Sequence, residues 1–136
     1  MIHCCVGITA YNEEANIGRL LEALLAQKTT TVVIEEILVV ASGCTDRTEA
    51  IVQEFADRDS RIRLLTQVRK EGKASAVNLL IRNTDCDVVV LESADTLPLP
   101  DTIEALVSPF ADPKIGMVGG HPVPTNSPNQ FMGFGA

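Results

Sequence analysis

The order of apolar and polar positions along the chain changes period several times, and each change marks an element. Residues 3–10 (HCCVGITA) form a short apolar run closed by polar residues, as a buried strand does. Beyond Asn12 the period becomes helical. Ile17, Leu20, Leu21, Leu24 and Leu25 fall at i, i+3, i+4, i+7 and i+8, one stripe of an amphipathic helix. Asn12 is its expected N-cap, with Glu13 and Glu14 suited to the positive end. A second strand is predicted at 36–41 (EILVVA), ended by the turn Ser42-Gly43-Cys44. Asp46 and Glu49 have capping-box spacing ahead of a helix whose inner face is Ile51, Val52 and Phe55.

A third strand at 62–66, a helix from about Lys73 to Asn83 and a fourth strand at 87–91 (DVVVL) follow. The last is apolar without alternation, as a strand covered on both faces would be. Asp101 and Glu104 repeat the capping-box spacing before a fourth helix, and a fifth strand is expected at 115–119. Strands alternating with helices predict an α/β fold, an open and mostly parallel Rossmann-like sheet with helices on both faces. Residues 1–120 are expected to form this domain. All seven prolines lie after residue 97, and 121–136 reads as an irregular tail leading into a part that is absent.

Composition narrows the function. The 136 residues are 46% hydrophobic, enough for one core, and carry a net charge of -7, which argues against a nucleic-acid partner. Cysteines 4, 5, 44 and 86 form no C-x-x-C pair. Cys4 and Cys5 face opposite ways on a strand, so four reduced thiols in a cytoplasmic compartment are expected. Neither a signal peptide nor an apolar stretch of membrane-spanning length is found.

In open α/β sheets, ligands bind beyond the carboxyl ends of the strands. Four polar clusters fall there: Thr9-Ala10-Tyr11-Asn12-Glu13-Glu14, Ser42-Gly43-Cys44-Thr45-Asp46, Arg69-Lys70-Glu71-Gly72-Lys73 and Glu92-Ser93-Ala94-Asp95-Thr96. Any one of them alone is an ordinary turn. Four converging on one edge give an address. A carboxylate such as Asp95 suits Mg²⁺ or Mn²⁺ shared with phosphates, and Lys73 with Arg69 or Lys70 can meet the phosphate charge. Tyr11 offers a face for a base to stack on. No G-x-x-x-x-G-K-[ST] and no G-x-G-x-x-G after the first strand is present, which sets aside P-loop and dinucleotide-binding domains.

The stretches 6–25, 37–52, 69–81 and 88–106 together resemble the family 2 glycosyltransferases of GT-A fold, in the family's order and spacing. The resemblance implies inverting transfer from a UDP- or GDP-sugar, with Mn²⁺ or Mg²⁺ as cofactor. By position, it implies that Thr9, Ala10, Tyr11, Glu14, Ser42 and Gly43 surround the nucleotide. Lys73, Arg69, Asn78, Ser93 and Ala94 would serve the phosphates and donor sugar, and Asp95 the metal. The family usually has paired aspartates where Ala41 and Ser42 stand, and its DxD triplet aligns with Ser93-Ala94-Asp95. Glu92 is one residue off register and on a strand points the other way.

The family's catalytic base belongs to a later motif, so no catalytic residue is assigned within the chain. The acceptor, whether glycan, lipid or polyprenyl phosphate, is left open. Two other readings fit the same residues: a binding module without catalysis, and an inactive fragment. A sheet with an uncovered edge favours pairing between chains. Sedimentation of the purified chain is expected to give a homodimer, and a clean monomer at high concentration would contradict that expectation.

Overall fold

The computed structural model describes residues 1–111, 121–123 and 130–133, and side chains as far as Phe110. Strands β1 (Ile2–Ala10), β2 (Val32–Ser42), β3 (Ile62–Gln67), β4 (Val88–Ser93), β5 (His121–Val123) and β6 (Gln130–Gly133) form one sheet in the order β3-β2-β1-β4-β6-β5. All pairings are parallel except β5 with β6. Helices α1 (Ile17–Leu25), α2 (Thr48–Arg58), α3 (Lys73–Arg82) and α4 (Thr102–Val107) connect and cover the parallel strands. The expected open α/β sheet is the architecture observed.

Two apolar layers divide the helices between the faces. Cys4, Val6 and Ile8 of β1 point to one side with Ile37 and Val39 of β2, under Leu20, Leu21 and Leu24 of α1, Val52 and Phe55 of α2, and Ile103 and Val107 of α4. Leu38 and Val40 point to the other, under Ala76 and Leu80 of α3. Strands β1, β2 and β4 are therefore covered on both sides, which explains runs such as VVVL with no polar alternation. Gly7 lets α3 come close: a Cβ there would stand 2.9 Å from Leu80 Cδ1.

Several elements differ from the sequence reading. Strand β2 starts at Val32, because an irregularity opposite Cys4 and Cys5 leaves Glu35 as an extra residue. Val32 and Ile34 thus share a face with Ile37 and Val39 despite the break in period. Helix α1 begins at Ile17 after Asn16, and Asn12 sits outside it at φ 49°. Neither capping box forms. Asp46 instead accepts from Thr48 N and Glu14 N, and Glu104 accepts from the backbone and hydroxyls of Thr30 and Thr31. The α4 terminus is met by Gln27, whose Oε1 accepts from Ile103 N at 3.0 Å.

Within 121–136, expected to be irregular, β5 and β6 join the sheet beside β4. The strand expected at 115–119 lies outside the described residues. The thiols also need correction: Cys5 and Cys86 are joined in a disulfide, and only Cys4 and Cys44 are free. Cys5 lies beside Val89 in the β1–β4 register, three residues beyond Cys86, so parallel pairing joins cysteines 81 positions apart. Cys4 and Cys5 do face opposite ways, Cys4 into the larger core and Cys5 into a small cluster with Val89.

Glu92 pairs in register with Ile8, is 3% exposed, and its two carboxylate oxygens find no partner among the described residues. Burial pushes its pKa from 4.5 up to about 8. The folded chain thus holds a proton that the unfolded chain has released between those values, and stability falls as pH rises through that window. Asp46, Asp59 and Glu104 are shifted downward, so their contributions change only in more acidic solution. Urea unfolding from pH 5 to 8 is expected to lose up to about 1.4 kcal/mol per pH unit. Glu92→Gln should flatten that slope, and an unchanged slope in the variant would assign it elsewhere.

Candidate functional site

The strand order places the site. From β1 the chain moves outward through β2 to β3 with α1 and α2 on one face, then returns across the sheet to β4 by α3 on the other. Right-handed crossovers require that change of face when the direction reverses. The carboxyl ends of β1 and β4 are consequently left diverging, and a crevice opens between them.

A cleft of about 320 Å³ occupies this position, on the α3 side. It is lined by Thr9 and Ala10 at the end of β1, Tyr11 just after it, Ser42 at the end of β2, and Ser93 at the end of β4. Glu13 and the α3 residues Lys73 and Ala76, with Lys70 and Gly72 before them, complete it. Thr9 and Ser93 are register partners, so two hydroxyls sit side by side on the cleft wall. Two lysines face the hydroxyl wall. The cleft can therefore bind a polar anion, with neutral hydrogen-bonding groups on the sheet side and positive charge on the helix side.

The Lys70 ammonium lies 4.1 Å from the centre of the Tyr11 ring, a cation–π contact. The half-exposed ring expected to stack on a base thus holds the cation over one face in this structure. Lys70 is itself placed by Gly43, whose φ is 59° and whose amide donates to Gln67 O at 2.8 Å. A Cβ at Gly43 would come within 2.6 Å of Lys70 N, so the β2–α2 turn and the β3–α3 loop touch backbone to backbone.

Six expected site residues do not line the cleft. Glu14 is turned away, its carboxylate accepting from Arg47 N and its own amide donating to Asp46. The left-handed residue Asn12 redirects the chain, and Glu13 lines the cleft in its place. Asn12 bridges to Thr45, accepting from its amide at 2.8 Å. Gly43 supports the wall from behind, and Lys70, not Arg69, faces inward. Asn78 is exposed: it lies two residues, about 200° of helix, beyond the sheet-facing Ala76.

Ala94 is buried in the larger core. Asp95 is exposed, in a turn closed by Thr96 N donating to Ser93 O at 3.1 Å. The cost of burying a carboxylate near the end of β4 therefore falls on Glu92, which points away from the cleft as its register predicts. Among the described residues, no three His, Cys, Asp or Glu side chains converge on a metal position. Asp95 as a lone carboxylate fits Mg²⁺ or Mn²⁺, which are commonly held by one or two carboxylates together with substrate phosphates.

The sequence profile of glycosyl transferase family 2 matches residues 5–134. The chain belongs to this family. It is 30% identical over 116 residues to a poly-beta-1,6-N-acetyl-D-glucosamine synthase of Staphylococcus aureus, covering 85% of this chain and 27% of that protein. It is 28% identical over 114 residues to a beta-monoglucosyldiacylglycerol synthase of Synechocystis, covering 82% and 24%. Among solved structures, it resembles a mannosyltransferase of Pyrobaculum calidifontis in complex with GDP-Man and Mn²⁺. That likeness has a TM-score of 0.74 at 30% identity, over 83% of this chain and 33% of the other. The chain thus spans about a quarter of the curated relatives' length. The sheet is a GT-A-type sheet, and no helix of the described residues is long and apolar enough to cross a membrane.

Gly43→Ala tests whether the turn shapes the cleft. Left-handed strain and the contact with Lys70 are expected to cost about 1–3 kcal/mol of stability, read by thermal melting. A variant as stable as the parent would mean that the two loops are not locked together.

Proposed function

We propose that this chain is the donor-binding part of a glycosyltransferase that takes a sugar from a UDP- or GDP-linked donor. The observation that carries the reading is the cleft at the β1–β4 switch point, with hydroxyls on the sheet side and Lys70 and Lys73 opposite. In this reading Thr9, Tyr11 and Ser42 surround the nucleoside, while Lys70 and Lys73 meet the diphosphate charge. Asp95 supplies a carboxylate for Mn²⁺ or Mg²⁺, and Ser93 lies next to the donor phosphates. An ion held there would supply Lewis-acid stabilisation of the negative charge on a departing diphosphate.

An acceptor hydroxyl attacks the anomeric carbon from the face opposite the diphosphate, forming the new glycosidic bond as the bond to phosphate oxygen breaks. The hydroxyl proton passes to a base, and that role is assigned to no residue in this chain. The complex of the structural neighbour with GDP-Man and Mn²⁺ supports a nucleotide-sugar donor and a divalent ion. The relatives' names, a polysaccharide synthase and a glycolipid synthase, support a glycan or lipid acceptor.

Calorimetric titration with UDP and GDP, in Mn²⁺ and again in EDTA, tests the donor site. One of the two nucleotides is expected to bind in Mn²⁺ and to lose about tenfold or more in affinity in EDTA, ~1.4 kcal/mol. Asp95→Asn should reproduce that loss with Mn²⁺ present. A chain shown by circular dichroism to be folded, yet binding neither nucleotide, would sink the proposal.

A further inference from the structure

Tyr11 and Lys70 come from different loops and meet in the cleft. Tyr11 follows β1, Lys70 precedes α3, and Lys73 lines the same cavity. The Lys70 ammonium stands 4.1 Å from the centre of the Tyr11 ring. The Lys70 backbone has little room to shift, because Arg69 and Lys70 lie against Gly43 at φ 59°. Its side chain does have room: Lys70 is exposed, and a lysine ammonium rides on a flexible stem. Lys70 can therefore change partner by side-chain rotation alone, with the loop left in place.

Magnitudes decide which partner wins. Tyr11 is 44% exposed, and a cation over such a ring gains a factor of only about two to five. A charge-assisted hydrogen bond to a phosphate oxygen gains about tenfold or more. The like charge of Lys73 also favours the ring position for Lys70, and an anion between the two lysines reverses that preference.

Building on the donor-site reading above, which supplies a diphosphate as the anion, we infer that Lys70 is a gate on Tyr11 worked by the charge of the ligand. An anionic group in the cleft draws the ammonium off the ring. The uncovered face then becomes contact surface for the rest of the same ligand. A neutral nucleoside or sugar offers Lys70 nothing and meets the ring covered. The gate thus favours ligands in which an anion is joined to an uncharged body, over either part alone.

Proton NMR of the chain follows the gate directly. Tyr11 is the only tyrosine and tryptophan is absent, so its ring signals are unique. The Lys70 ε-methylene, shielded by the ring current, should resonate upfield of the other lysines. Inorganic pyrophosphate with Mg²⁺ is expected to return that signal to the usual lysine position and to shift the Tyr11 signals along one saturation curve. Uridine and guanosine, which carry no anion, should leave both unmoved.

Calorimetry with pyrophosphate supplies the energetic counterpart. Tyr11→Leu removes the competing ring and should tighten pyrophosphate binding about two- to fivefold, a gain that loss of packing would not produce. Lys70→Met should weaken it about tenfold or more, and in that background Tyr11→Leu should change nothing. Thermal melts establish that the variants are folded.

A Lys70 signal at the ordinary position in the chain alone would overturn the inference, as would one that stays upfield under pyrophosphate or moves with uridine. So would unchanged or weaker pyrophosphate binding by folded Tyr11→Leu, or unchanged binding by Lys70→Met. UDP or GDP binding in Mn²⁺ beside any of these results would leave the donor site standing. Failure of both nucleotides to bind would overturn the donor-site reading, and this inference with it.

Discussion

Strand β1 lies between β2 and β4, parallel to both, and the direction of chain progress reverses across it. That reversal, combined with the right-handedness of crossovers, is the constraint on which the rest depends. It sends α3 to the face opposite α1, α2 and α4, which requires β1, β2 and β4 to be apolar on both sides. It also leaves the carboxyl ends of β1 and β4 without a connection over them, so the cleft lies at Thr9 and Ser93. The Cys5–Cys86 disulfide ties the same two strands near their amino ends.

Charge is used sparingly around the cleft. The sheet contributes Thr9, Ser42 and Ser93, all neutral, in a protein with net charge -7. Positive charge comes from Lys70 and Lys73, at the loop where α3 begins. Hydroxyls can sit at the end of a buried strand because each needs few partners, and Ser42 finds one in Gln67. Glu92 shows the alternative cost: one residue before Ser93, it is buried without a partner among the described residues and keeps its proton at neutral pH.

Two loop contacts turn separate sequence clusters into one surface. Asn12 and Glu14 after β1 bond Thr45, Asp46 and Arg47 after β2, joining the entries of α1 and α2. Gly43 lies against the backbone of Arg69 and Lys70, joining the β2 turn to the approach of α3. Polar residues that read as ligand contacts in sequence, such as Glu14, are partly used in this bracing. Which neighbour faces inward is decided by the turn, as with Glu13 over Glu14 and Lys70 over Arg69.

The sequence by itself determined the order of elements from β1 to α4, because period-2 and period-3.6 patterns record burial and each of these helices and strands carries its own. It also gave the address of the cleft, since polar residues at four strand ends can converge on only one edge of such a sheet. It did not reveal the first half of β2. An extra residue at Glu35 breaks the alternation, and only pairing with β1 shows that Val32 and Ile34 continue the same face.

Only the tertiary structure decided the disulfide, which depends on parallel register between residues 81 apart. It also decided the fate of the two capping-box patterns, where Asp46 and Glu104 find partners on other segments. The hydrogen bonds that join Ser42 to Gln67 and Gln67 to Ser75 belong to the same class: their members lie on three elements, and no local spacing joins them. The physical reason is common to all three. Local patterns report how much of a residue is buried, whereas the identity of its partner depends on register and crossing between segments distant in the chain.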